Sequence, residues 1–188
     1  MTDTKDRILD AAGALFRRQG YWGTGLKQIA QEAKAPWGSL YHFFPGGKDE
    51  LTAETIRRSG ERYCKLIAEG LARAATPLDG AQAMFIYMAD ILEASNFADG
   101  CPISPVAHDV AASSEPIRQA CDGVFRSWQA AFAEWLRGKG VVEDEAVSLS
   151  CFVFAALEGA ILLARTARSR KPLEDAMRYL AAVMPDSN

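Results

Sequence analysis

A chain of 188 residues, 49% apolar and 24% charged, suits one or two globular domains with sizeable cores and is not the composition of a disordered protein. With 21 lysines and arginines against 24 acids, its net charge of −3 excludes a surface that is cationic throughout. The start, Met1-Thr-Asp-Thr-Lys-Asp, is too polar for a signal peptide, and the longest apolar run, Cys151 to Ala164, is too short to span a bilayer and holds Glu158; a soluble cytoplasmic protein without a membrane partner is expected.

Every long segment has helical period and none alternates like a half-buried strand, so the expected fold class is all-α with about nine helices. Ile8, Leu9, Ala12, Leu15 and Phe16 mark the first helix, capped near Asp3 or Thr4 and stopped around Gly20. Leu26, Ile29, Ala30 and Ala33 repeat on one face of a second, short helix over about 25–33, which Thr24 is placed to cap. A third, over about 36–44, carries Leu40 and Phe44 as its apolar stripe and leaves Trp37, Ser39, Tyr41 and His42 facing outward. A helix two turns long gains little stability alone, so displaying a surface is the better reason to build one. Two such helices joined by a tight turn are the plan of a helix-turn-helix, whose second helix enters the major groove of DNA.

A Pro45-Gly-Gly break precedes a long helix over about 48–74, with Asp49 and Glu50 at the positive end of its dipole. Pro77 opens a helix rich in Met84, Phe85, Tyr87, Met88, Ile91 and Leu92. A loop with Gly100 and Pro102 leads to a short helix, with Ser104 read as its cap and Pro105 as its first residue. The segment 115–139 keeps Ile117, Cys121, Val124, Phe125, Trp128, Phe132, Trp135 and Leu136 on a consistent face. The segment 143–168 becomes almost wholly apolar and needs cover on all sides; a second subunit is the simplest cover. A last helix over about 171–184, with Leu173, Ala176, Met177, Leu180 and Met184, completes a two-fold four-helix interface.

Charge is divided unevenly. Lys5, Arg7, Arg17, Arg18, Lys27, Lys34 and Lys48 outnumber Asp3, Asp6, Asp10 and Glu32 in residues 1–48, a net +3 against −6 for the remainder. A mildly basic head on an acidic body binds phosphates without making the whole protein adhere to nucleic acid. Cys64, Cys101, Cys121 and Cys151 are scattered and read as small buried hydrophobes, with Cys101 in the Asp99-Gly-Cys-Pro-Ile loop the one candidate reactive thiol. His42 and His108 stand outside any ligand-spaced cluster, so neither a metal nor a cofactor is expected. His108-Asp109 reads as plain surface. No nucleophile elbow, phosphate loop, zinc-protease motif or dinucleotide fingerprint is present, which argues against an enzyme.

Arg7-Ile-Leu-Asp-Ala-Ala, Leu15-Phe16, Gly20-Tyr21, Thr24-x-Leu-x-Gln-Ile-Ala and Gly38-Ser-Leu-Tyr-His-Phe-Phe-Pro-x-x-Lys48 together resemble the TetR family of transcriptional regulators. Gly46-Gly47-Lys48 with Gly100-Cys101-Pro102-Ile103 is similar to a subgroup that includes lincomycin-resistance repressors. The resemblance implies a DNA-binding head over 1–47, an effector-binding and dimerisation body over 48–188, and a homodimer on a palindromic operator with half-sites about 34–36 Å apart. It implies DNA contacts from Thr24, Lys27, Trp37, Gly38, Ser39, Tyr41, His42 and Lys48: phosphates for Thr24, Lys27 and Lys48, base edges around Trp37, Gly38 and Ser39. A small apolar or aromatic effector is expected among Tyr63, Phe85, Met88, Phe97, Phe125, Trp128 and Phe152, and dimer contacts at Phe154, Leu157, Ile161, Met177 and Leu180. The expected function is a repressor released by that effector; the alternative is a thiol-based redox-responsive repressor using Cys101. Two departures stand out. The family commonly has Gly at 34, Ser or Thr at 36 and a basic residue at 37, where this chain has Lys34, Pro36 and Trp37.

Overall fold

The computed structural model describes residues 3–185. Among the described residues nine α-helices follow one another: α1 (Thr4–Gln19), α2 (Leu26–Glu32), α3 (Trp37–Phe43), α4 (Gly47–Leu71), α5 (Pro77–Ala94), α6 (Ser104–Val110), α7 (Glu115–Gly138), α8 (Glu143–Ala167) and α9 (Lys171–Leu180). Punctuation accounts for most of the ends. Gly20, at φ 71°, stops α1, and Gly47 and Gly140 also take positive φ at breaks. Thr76 caps α5 through a capping box with Asp79, and Pro77 fills the first turn where no N–H is needed.

Three starts differ from expectation. Gly25, not Thr24, is the N-cap of α2, and no side chain caps it. Pro36 is the N-cap of α3, so the helix begins at Trp37. Ser104 is the first residue of α6 instead of its cap, because the backbone turns in at Ile103. At the other end of the chain α9 stops at Leu180, and Met184 is buried from the turn that follows.

Packing divides the chain into two compact units that do not follow chain order. One comprises the residues up to Arg62 together with Cys101–Phe125; the other comprises Tyr63–Gly100 and the residues from Arg126 onward. In the first, α1, α2 and α3 pack mutually and α6 packs on α1. Ile8, Leu9, Ala12 and Phe16 of α1, Ile29 and Ala30 of α2 and Leu40 of α3 are buried there, with Phe44 just beyond α3. Each truncation to Ala of a large member would cost about 2–5 kcal/mol. Ion pairs tie α1 to the first half of α4: Lys5–Glu54 at 2.6 Å, Asp6–Arg58 at 2.5 Å and Asp10–Arg62 at 3.0 Å. Where Gly60 of α4 faces Val124, an added Cβ would lie 2.4 Å from a valine methyl, so only glycine permits this approach.

In the second unit α5, α8 and α9 pack against one another. Val153, Phe154, Leu157, Ala160, Ile161 and Ala164 of α8 are buried, with Met84, Phe85, Met88 and Leu92 of α5 and Leu173 and Leu180 of α9. An aromatic chain runs through it, Tyr63–Trp128 at 5.9 Å, Trp128–Phe154 at 6.2 Å and Phe132–Trp135 at 5.8 Å between ring centroids. By length and composition α8 would be apolar enough to cross a bilayer, yet it carries one wholly buried side and one exposed side.

Candidate nucleic-acid interface

The third helix shows how a seven-residue segment becomes a display surface. Leu40 and Phe44, both buried, anchor it to the unit's core. The opposite face is open: Trp37 is 48% and Tyr41 50% exposed, and their rings meet edge to face at 5.6 Å. Such a pair is worth about 0.5–1.5 kcal/mol and holds both rings in one orientation. Gly38 is exposed, with nothing within 4 Å of an added Cβ, so another molecule can approach the backbone there. Ser39 is half-buried, and His42 is exposed in the last turn with its ring edge-on to Phe43. Trp37, Gly38, Ser39, Tyr41 and His42 therefore lie together on one short helix. The face offers rings, a hydroxyl, a phenol and an imidazole, and no guanidinium or carboxamide for a bidentate grip on guanine or adenine.

Beside it, Lys27, Ala30, Gln31, Lys34, Ala35 and Trp37 line a groove between α2 and the start of α3. Lys27 and Gln31 are exposed, one helical turn apart. Lys34 has φ 49°, in the left-handed region where the family's glycine sits without strain. The Arg7 guanidinium holds this turn, donating to the carbonyl oxygens of Ala33 at 3.0 Å and Lys34 at 3.1 Å. Sequence reasoning gave Arg7 no task, since 26 residues separate it from Ala33.

Two expected phosphate contacts point elsewhere. Thr24 is 1% exposed and its hydroxyl donates to the Gly20 carbonyl at 2.7 Å, so it braces the α1–α2 loop. The Lys48 ammonium turns inward, donating to the Tyr21 carbonyl at 2.7 Å and lying 3.9 Å from the Tyr21 ring centroid. Burial lowers its pKa, opposed by the charges of Asp49 and Asp109. Around it the Tyr21 hydroxyl donates to Asp49, which also accepts from Ser114 at 2.8 Å. Burial, then the hydrogen bond to and charge of Asp49, push the Tyr21 phenol up to about 12.

Asp109, expected to be plain surface, belongs to this cluster. Its Oδ2 accepts from the backbone N–H of Tyr21 at 2.7 Å and of Trp22 at 3.3 Å, while the Trp22 indole donates to its carbonyl. Gly20 leaves the room: an added Cβ would sit 2.4 Å from that carboxylate oxygen. Partners 88 residues apart leave no local signal, although a glycine before an aromatic pair was a partial clue.

In the second unit Phe85, Met88 and Trp128 are buried and Tyr63 is half-buried among them. Phe97 is half-buried at φ 60° in the loop after α5, and Phe125 belongs to the first unit. Phe152 is 48% exposed and so does not line an interior site. The expected dimer contacts need a like correction. Phe154, Leu157, Ile161 and Leu180 are buried in the chain's own core, and Met177 is half-buried. The exposed apolar side of α8 carries Val147, Phe152, Leu162 and Leu163 instead. Cys101 is 3% exposed, its Sγ accepting from the N–H groups of Ile103 and Ser104, whereas Cys151, expected to be buried, is exposed.

Comparison with known proteins gives the same picture over the whole chain. Residues 8–55 match the family described as bacterial regulatory proteins, tetR family, and residues 77–179 match the transcriptional regulator LmrA/YxaF-like C-terminal domain. The HTH-type transcriptional regulator LmrA of Bacillus subtilis is 36% identical over 98% of this chain and 96% of its own. The uncharacterized HTH-type regulator YxaF of the same organism is 38% identical over 91% and 90%. The fold matches a crystal structure of reduced Escherichia coli NemR with a TM-score of 0.87, at 23% identity and 98% of each chain. The chain belongs to the TetR family of DNA-binding, non-enzymatic transcriptional regulators, with a C-terminal domain of the LmrA/YxaF kind.

Proposed function

We propose that the chain is a homodimeric repressor that binds a palindromic operator through α3 and is released by a small apolar or aromatic effector. One observation carries the DNA half: Trp37 and Tyr41 stand half-exposed on a helix that Leu40 and Phe44 anchor from behind. Trp37 suits the methyl group of thymine better than the edge of guanine. For the effector, the cluster of Tyr63, Phe85, Met88 and Trp128 in the second unit has the apolar and aromatic character that such ligands need around them. Helix α4 is continuous from Gly47 to Leu71, so a shift of its later half on effector binding reaches the head through the backbone. For the dimer, the exposed row Val147, Phe152, Leu162 and Leu163 is the apolar surface a second copy would cover.

A duplex enriched from a random pool by the wild-type protein tests the DNA half. It should bind wild type specifically, with affinity that falls as salt rises, and should lose that preference with Tyr41→Ala. A wild-type protein that enriches no duplex would sink the reading. A second reading keeps the DNA function and changes the signal: Cys101, at the entry to α6, has its Sγ held by the N–H groups of Ile103 and Ser104 and would be the thiol an oxidant acts on. Release of the duplex by peroxide, lost in Cys101→Ser, would replace the effector with an oxidant; unchanged binding under peroxide would dismiss it. The near-complete burial of that thiol favours the effector.

A further inference from the structure

We infer that Lys34, in the turn of the helix-turn-helix, is a DNA-phosphate contact of its own, presented in a left-handed backbone conformation that Arg7 clamps. The inference rests on the operator-binding reading above. Lysine is a poor choice for this backbone. At φ 49° its Cβ crowds the neighbouring carbonyl, a conflict glycine avoids. A non-glycine residue held there needs a task for its side chain, or the strain has no return.

Three features say what that task is. First, the turn is braced from outside itself as well as from within: Arg7 donates to the carbonyls of Ala33 and Lys34 at 3.0 and 3.1 Å, beside the turn's own bond from the Ala35 N–H to the Ala30 carbonyl at 3.0 Å. Second, Lys34 is exposed, and no carboxylate pairs with its ammonium among the described residues. Third, it lines the groove that ends at Trp37, the first residue of the recognition helix, in one row with Lys27 and Gln31. An ammonium, a carboxamide and a second ammonium line this groove without an acid, which matches a run of backbone phosphates. The acids near Lys34, Asp10 and Glu32, line the groove on its other side together with Arg7 and Arg18. Lys48, the expected phosphate grip, is committed to Tyr21, so the positive edge of the head is at Lys27 and Lys34.

Glycine makes an informative replacement because the two effects have opposite signs. Lys34→Gly removes the charge and relieves the backbone, so its Tm should match or exceed that of wild type. Its dissociation constant for the enriched duplex should rise about two- to fivefold, the scale of an exposed ion pair. Its log–log salt slope should shrink by about one. The same loss should appear on an unrelated duplex, since a phosphate carries no sequence. Lys34→Gln should lose affinity equally, and Lys34→Arg should retain it. An unchanged affinity and slope in Lys34→Gly, while Tyr41→Ala loses the enriched duplex, would overturn the inference and leave the DNA reading standing. A loss confined to the enriched duplex would make Lys34 a base reader, and a loss that tracks a lower Tm in Lys34→Gln would make it a structural cap; each overturns the inference. A wild type that enriches no duplex overturns both.

Discussion

Replacing Asp109 with Ala should loosen the attachment of α6 to the α1–α2 loop. The carboxylate accepts two backbone N–H groups, one at 2.7 Å and one at 3.3 Å, beyond the usual range. A hydrogen bond to a charged group is worth about 1.5–3 kcal/mol. Asp109 is half-exposed, so the short bond belongs near the low end. The long bond adds a few tenths at most, because Trp22 is exposed and its N–H can be met by water. Losing both gives about 2 kcal/mol. For a chain of this length that corresponds to a Tm lower by about 4–8 °C. Asn keeps one neutral acceptor and should lose about half as much. Thermal unfolding followed by far-ultraviolet circular dichroism at neutral pH reads the effect. Asp109→Ala as stable as wild type would refute the reasoning, as would an Asn variant less stable than the Ala one.

Raising the pH should destabilise the protein through Tyr21. Its folded pKa of about 12 exceeds the ordinary 10, so from about pH 10 to 12 the unfolded phenol ionises first and folding loses stability; below that window nothing changes. Tyr21→Phe lacks this term, so its Tm deficit should narrow between about pH 9 and pH 11; a constant deficit would count against it. Gly80→Ala would drive a Cβ to 2.4 Å from the Trp135 ring and should cost about 1–3 kcal/mol in urea unfolding. If the proposed homodimer forms on the exposed side of α8, Phe152→Asp with Leu163→Asp should shift it toward monomer in sedimentation with little change in helix content. Phe154→Asp should unfold the chain instead, since that ring is core; an unaffected dimer in the double variant would place the interface elsewhere.

What could be read from sequence depended on whether the deciding interaction was local. Both ends of α1 and α8 and the start of α5 lie within a residue or two of the expected positions because Gly20, the acidic run at Glu143 and Pro77 act through adjacent backbone. Leu40 and Phe44 were legible as anchors because a spacing of four defines a face. Direction was not legible where composition is uniform. Helix α8 is apolar on every side, so periodicity could not separate the buried Phe154 and Leu157 from the exposed Phe152 and Leu163. Thr24 and Lys48 had the right chemistry for phosphates, but partners at Gly20 and Tyr21 claim them, and residue type alone does not say where a side chain turns.

The ion pairs between α1 and α4 have a practical consequence for anyone titrating this protein with salt. Lys5–Glu54, Asp6–Arg58 and Asp10–Arg62 are about one-third to two-thirds exposed, so the electrolyte that competes with DNA also screens the clamp holding the head's first helix. A wild-type salt slope thus mixes ions displaced from the duplex with slackening inside the reader. Two variants sharing the clamp carry the second contribution equally. Their difference counts phosphates; either slope alone does not.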